Sequence, residues 1–144
     1  MGVCLTANNS SYSFYMGYFG FHALRRSIAE VIDPEFAQLY HEMLAGVFME
    51  DRIEAEKKLS KLLMDEDKFP EDIEPILDFL FQPDVEGKVS YKTCKKLYDL
   101  IQDVNFKGKS FRYGCYQNSE MSDYEMFKEF LKECYRYHRN MRWY

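Results

Sequence analysis

The first 24 residues, Met1 to Leu24, contain no Asp, Glu, Lys or Arg. A charge-free stretch of that length has to be covered, either by the rest of a fold or by a membrane, and its residues decide which. Asn8, Asn9, Ser10, Ser11 and Ser13 interrupt every apolar run, and no basic residues lead into one, so the stretch lacks the form of a signal peptide. Nowhere does the chain offer the roughly 18 consecutive apolar residues of a membrane span. The stretch therefore reads as short buried strands, Val3 to Thr6 as the first and Tyr12 to Tyr18 as the second, both rich in residues that suit a pleated surface. A cytoplasmic location with no membrane association follows from the same argument.

Near Gly20 the hydrophobic period changes from that of a strand to that of a helix. Phe21, Leu24, Arg25, Ile28, Ala29 and Ile32 recur at helical spacing. Asp33-Pro34 then reads as an N-cap followed by proline at the first helical position, opening a helix with Phe36, Leu39, Tyr40, Met43, Leu44 and Val47 on one face. Residues 50–64 predict a more polar helix with Ile53, Leu59, Leu62 and Leu63 as its stripe. Glu54 and Lys58 form a favourably oriented i,i+4 pair on it. After a loop at 65–68, Pro70 opens a helix whose Ile73, Ile76, Leu77, Leu80 and Phe81 face inward, and Ser90 caps another carrying Tyr91, Cys94, Leu97, Tyr98 and Ile101. Residues 105–118 read as loop and strand. Ser122 and Glu125 form a capping box for a helix running to about His138. The closing Met141-Arg142-Trp143-Tyr144 is too aromatic for a frayed tail and is expected to pair as an edge strand near the N-terminal one. The fold class is α+β: a predominantly α-helical single domain over residues 1–144, with five or six helices and a small antiparallel sheet near the termini.

Charge is unevenly spread. Residues 27–86 hold 17 acidic and 5 basic side chains, whereas residues 87–144 hold 12 basic and 7 acidic. The densest acidic run is Asp65, Glu66, Asp67, Glu71, Asp72, Glu74 and Asp78. Either the two halves neutralise each other within the fold, or the acidic face attracts a basic partner. Phe, Tyr and Trp make up 17% of the residues, and such rings either fill a core or build a binding surface. Cys4, Cys94, Cys115 and Cys134 are scattered, with no C-x-x-C pair, and read as reduced structural thiols.

Four constellations of residues are candidates for chemistry. Gln82 to Ser90 echoes an EF-hand loop, with Asp84 and Glu86 at liganding positions. Its first position is Gln82 and its twelfth Thr93, so both anchoring carboxylates are missing; the competing reading is a connection in which Gly87 supplies a left-handed turn. Cys134 and His138 share a helical face but lack the further ligands of a zinc site or the orienting acid of a dyad. Tyr12, Tyr18, His22 and Arg25 can offer hydrogen bonds and charge to an anionic small ligand or nucleotide. Arg136, Arg139 and Arg142, interleaved with Tyr135, Tyr137 and Trp143, resemble a single-strand-binding surface, yet a pI near 5.3 argues against nucleic acid as the partner. There is no phosphate-cradling glycine loop and no G-x-S-x-G elbow, and no motif calls for a cofactor or a metal.

The Met1-Gly2-Val3 start, Ser11-Tyr12-Ser13, Gly20-Phe21-His22, Arg25, the Pro83-Asp84-Val85-Glu86-Gly87 loop and the strand-like end together resemble a loosely defined group of small bacterial and phage-associated proteins. In that group the loop reads Asp-Cys-Asp/Glu-Gly; here Val85 stands in place of the cysteine. The resemblance implies a fold and a mobile-element setting, not a reaction. The leading expectation is a non-catalytic protein-binding module, an inhibitor or adaptor acting on a host protein such as a nuclease or defence factor. Its expected contact surfaces are the acidic region over residues 65–78, with Asp65, Glu66 and Asp67 at its start, and the aromatic-basic end with Arg139, Arg142 and Trp143. The alternative expectation is a small-ligand or nucleotide-binding protein with its pocket near Tyr12–Arg25.

Overall fold

Alternation in the opening segment resolves into two strands. β1 (Gly2–Ala7) sends Val3, Leu5 and Ala7 to one face, and β2 (Ser13–Gly17) sends Phe14 and Met16 to the same face. They pair antiparallel, Val3 opposite Met16 and Leu5 opposite Phe14. At the end of β1 the Ser10 N–H donates to the Ala7 carbonyl at 3.2 Å. Asn9 adopts φ 58° there, a left-handed conformation that Asn tolerates better than most residues. The structure is a computed structural model and describes residues 2–10, 13–45, 48–104 and 123–144. Tyr12, Val47, Cys115, Ser122 and the loop and strand expected over 105–118 lie outside the described residues. Tyr18, expected to end β2, opens a helix instead.

The chain divides into two compact units, residues 1–24 with 75–144, and residues 25–74. Helix α1 (Tyr18–Ile32) gives its first half to one and its second half to the other.

In the second unit, Asp33 performs the capping read from the sequence: its Oδ2 accepts the Phe36 N–H at 3.0 Å at the start of α2 (Pro34–Ala45). Helix α3 (Met49–Leu62) packs on α2 and carries the expected Glu54–Lys58 pair at 3.4 Å. The buried centre is aromatic, with Phe36 stacked on Tyr40 at 6.2 Å and tilted against Phe69 at 5.5 Å. The expected α3 stripe is corrected: Ala55 and Leu59 are buried, Leu62 and Leu63 half-buried, and Ile53 is exposed. Pro70 opens a 3-10 turn, Glu71–Ile73, before the next helix begins.

The sheet-bearing unit contains α4 (Glu74–Phe81), β3 (Gly87–Val89), α5 (Tyr91–Ile101), α6 (Asp123–Arg136) and β4 (Met141–Trp143). Its sheet, as far as the described residues show it, runs β2-β1-β4-β3, antiparallel throughout. The C-terminal strand is thus interior, not the expected edge. The outer position falls to β3, in the stretch read as a turn. Two features make that short strand possible. The Gln82 amide acts as a strand partner, its Oε1 accepting the Lys88 N–H at 2.9 Å and its Nε2 donating to the Lys88 carbonyl at 2.8 Å. Gly87 lets the chain pass the Trp143 ring, since a Cβ there would stand 2.0 Å from it. Close approach, not a left-handed turn, is what requires this glycine.

Trp143 is fully buried, 5.8 Å from the Phe21 ring and edge-on to Phe79 at 5.5 Å, and its indole N–H donates to the Pro83 carbonyl at 3.0 Å. Phe79 in turn stacks on Phe127 at 6.2 Å. On α4, Ile76, Phe79 and Leu80 face inward, with Leu77 half-buried and Phe81 outside. Ser90 caps α5 by accepting the Thr93 N–H at 3.4 Å. Helix α6 packs on α5 and on β1 and covers one sheet face. It stops at Arg136, two residues short of the expectation: the Cys134 carbonyl accepts from Arg139 at 2.8 Å and the Tyr135 carbonyl from His138 at 3.4 Å, with His138 at φ 51°. That is a Schellman ending with histidine where glycine is usual. The fold is α+β: among the described residues, six α-helices and one four-stranded antiparallel sheet drawn largely from the two ends of the chain. No helix among them is long and apolar enough to cross a membrane.

Candidate functional site

Because strand side chains alternate, the sheet face turned away from α6 is set by the same registers that fill the core. Thr6 stands opposite Ser13 on one side and Arg142 on the other, and Arg142 stands opposite Lys88, which makes one cross-strand row. In the next row Cys4 faces Tyr15, while Cys4 and Tyr144 exchange backbone hydrogen bonds of 2.9 and 3.2 Å. Tyr15 and Tyr144 are 58% and 57% exposed, and among the described residues no element packs over the two rings. The Tyr15 ring lies along Gly2, where a Cβ would come within 2.8 Å of Cζ. The Arg142 guanidinium sits 5.7 Å from the Tyr144 ring centroid and 3.9 Å from the Glu86 carboxylate.

One recess adjoins this face and a second lies on the helices of the same unit. One, about 460 Å³, is lined by Thr6, Asn8, Lys88, Asn140, Arg142 and Tyr144 among others. The other, about 480 Å³, lies along α5 and the end of α6 between Tyr91, Lys92, Lys95, Lys96, Tyr135 and His138. Asn140, which lines the first, accepts at its Oδ1 the N–H of Tyr91, which lines the second, at 3.1 Å, and its carbonyl accepts the Asn8 N–H at 2.8 Å. The left-handed turn at His138 lays its imidazole flat on Tyr91, 4.5 Å between centroids and 17° between planes. Lys95 lies 5.7 Å from the Tyr135 centroid and pairs with Asp99 at 3.0 Å.

The residues singled out from the sequence are dispersed. Tyr18 and His22 are half-buried on the first turns of α1, and Arg25, further along, is buried in the other compact unit. Asp65, Glu66 and Asp67 form an exposed turn in which Asp65 Oδ1 accepts the Asp67 N–H at 3.1 Å. Asp78, counted in the same acidic run, belongs to the sheet-bearing unit, where its Oδ2 accepts from Gln82 Nε2 at 3.0 Å. Arg139 is taken up structurally, its Nη1 donating to the Asn8 and Asn9 carbonyls. Arg142 alone of the C-terminal trio lies on the open face, because Trp143 points into the core. Asp84 and Glu86 sit in a loop pinned at both ends by Gln82 and Trp143. Among the described residues no three His, Cys, Asp or Glu side chains stand where they could hold a metal ion.

The Cys134–His138 pairing dissolves as well. Cys134 is buried against Cys94 of α5, neither in a disulfide, and His138 leaves the helix for Tyr91. The hydrogen bond between the two thiols, helped by burial, pushes the Cys94 pKa far above the ordinary thiol range. The Cys94 thiol therefore behaves as a neutral packing group, not a nucleophile, and Cys134 is fully buried beside it.

Sequence reasoning missed two surfaces. The open sheet face was signalled only by alternation in Ser13-Phe14-Tyr15-Met16-Gly17, where one polar residue and one tyrosine mark the outer side. The other surface is a corner of the helical unit. Phe48 is 68% exposed and Met49 75%, and Ile53, one turn on from Met49, and Leu44, near the end of α2, are also exposed. Met49 and Ile53 share one side of α3, about 120° around the helix from the buried Ala55 and Leu59. Glu50, Asp51 and Glu54 flank them, all exposed.

No family model, curated protein or solved structure matches this chain. Its function has to be argued from these surfaces alone.

Proposed function

We propose that the protein is a non-catalytic protein-binding module that works in the cytoplasm, and that the helical unit carries its protein contact. The observation behind this reading is the exposed apolar start of α3, Phe48, Met49 and Ile53, within an acidic surround, with Leu44 of α2 also exposed. Contiguous exposed apolar side chains rimmed by charge mark interaction sites, and methionine adapts to varied partner surfaces. Residues 25–74 hold 14 acidic and 7 basic side chains, so the complementary occupant is a basic partner segment with apolar anchors. An inhibitor or adaptor of a mobile element, acting on a host nuclease or defence factor, is the concrete form that fits the sequence resemblance.

Affinity capture from host lysate with nuclease present, comparing the wild-type chain with Phe48→Ser/Met49→Ser, tests the reading. A stoichiometric protein is expected on the wild type and lost on the variant, with cross-links from α3 to a lysine- and arginine-rich segment. Equal capture by both chains, or capture by neither, overturns it. A wild-type dimer in sedimentation that the variant abolishes would make the occupant a second copy and overturn the proposed partner.

A further inference from the structure

We infer that the open face of the sheet, continued along α5 past Asn140, binds single-stranded nucleic acid. This surface lies in the sheet-bearing unit, so the inference does not rest on the protein contact proposed for residues 25–74.

Three observations carry it. First, Tyr15 and Tyr144 flank Cys4 in one cross-strand row, two interstrand spacings or about 10 Å apart, both more than half exposed. Rings presented side by side on an uncovered sheet are stacking platforms for unpaired bases. A duplex keeps its bases stacked on each other and cannot use them. Second, the cations lie beside the rings. Lys88 and Arg142 occupy the neighbouring row, about 7 Å along the strands, and Arg142 packs by Tyr144. Third, the surface continues. Asn140, in the recess over Thr6, Asn8 and Arg142, is hydrogen-bonded to Tyr91, which lines a second recess with the His138 ring stacked on it and with Lys92, Lys95 and Lys96. A strand following that path meets both rings and cations, of which Arg142 pairs with Glu86 and Lys95 with Asp99. An acidic peptide would be held by the lysines but has no planar bases for the tyrosines, so the rings favour nucleic acid.

The acidic pI argued against this partner only because it averages the chain. Residues 1–24 and 75–144 together hold 12 basic and 10 acidic side chains, and the acidic excess belongs to residues 25–74.

The test is fluorescence anisotropy of the full chain with 12-nucleotide labelled strands, DNA and RNA in parallel, at 50 and 200 mM salt. Binding is expected for a single strand and not for the matching duplex. Tyr15→Ala and Tyr144→Ala should each weaken it about tenfold. Both sites are exposed, and unchanged circular dichroism would show that the fold persists. Tyr15→Phe should retain binding, and Lys88→Ala should lower the salt slope by about one. Either polymer's binding supports the inference, and a preference for RNA would locate contacts to the 2′-hydroxyl. No anisotropy change at 50 mM salt overturns it. So does equal affinity for duplex, full displacement by polyglutamate at matched charge, or undiminished binding by the double tyrosine variant.

Discussion

The sheet-bearing unit and the helical unit use the same aromatic surplus differently. In the sheet, strand alternation sorts rings by side: Phe14 and Trp143 go inside, Tyr15 and Tyr144 outside, one residue from their buried neighbours. In the helical unit Phe36, Tyr40 and Phe69 all turn inward, and what is exposed there is aliphatic and sulfur-bearing, with Phe48 as its one ring. Charge divides the same way, with a slight basic excess in one unit and a strong acidic excess in the other. The difference teaches that composition, pI and ring count describe neither surface. Local period decides which rings remain available to a ligand.

The comparison can be broken most strongly at the two ring clusters. Trp143→Ala and Phe36→Ala should each cost about 3–5 kcal/mol in urea unfolding, as large aromatic deletions in cores do. Hydrogen exchange should localise the damage, to β1 and β4 amides for the tryptophan and to α2 amides for the phenylalanine. Equal loss of protection in both sets from either variant would mean the two ring clusters do not define separate regions. Next in size, Gly87→Ala should cost about 1–3 kcal/mol by forcing a Cβ onto the Trp143 ring, read by thermal melting. An unchanged melting temperature would refute the close approach of β3 to the indole.

The caps should behave alike in the two units because they act locally. Asp33→Ala and Ser90→Ala should each cost about 1 kcal/mol, and the Gly variants less. The smallest effect belongs to His41 on α2. Burial, then the nearby Arg26 charge, lower its pKa below the ordinary value, with Glu42 opposing. Between the folded pKa and the ordinary 6.5 the unfolded chain binds more protons, so stability is intact above pH 6.5 and declines as pH falls below it. His41→Gln should narrow the difference in melting temperature between pH 7.5 and 5.5. A wider difference would reverse the sign.

Much of the fold was legible because its signals are local. The Asp33 and Ser90 caps, the Glu54–Lys58 pair and the period of α1 each depend on residues within a turn or two. Errors gathered where distant partners decide. β3 was hidden because a three-residue strand has too little pattern, and what holds it is a glutamine side chain and an indole from the far end of the chain. Trp143 was read as surface because its flanks are charged and polar, although strand alternation could have placed it opposite Arg142. The candidate site was less legible still. Of the residues named for it, Arg142 joins the open face, while Tyr15, Lys88 and the corner at Phe48 and Met49 carried no motif.

By itself the sequence determined most of the element types, the helix starts capped by Asp33 and Ser90, the strand character of both ends and the uneven charge, all set by near neighbours along the chain. Tertiary structure alone decided that β4 lies inside the sheet and that Gly87 must be small. It also decided that Cys134 meets Cys94 rather than His138, and which rings stay in water. Those outcomes depend on which distant surfaces exclude each other's solvent, and no local period encodes that choice.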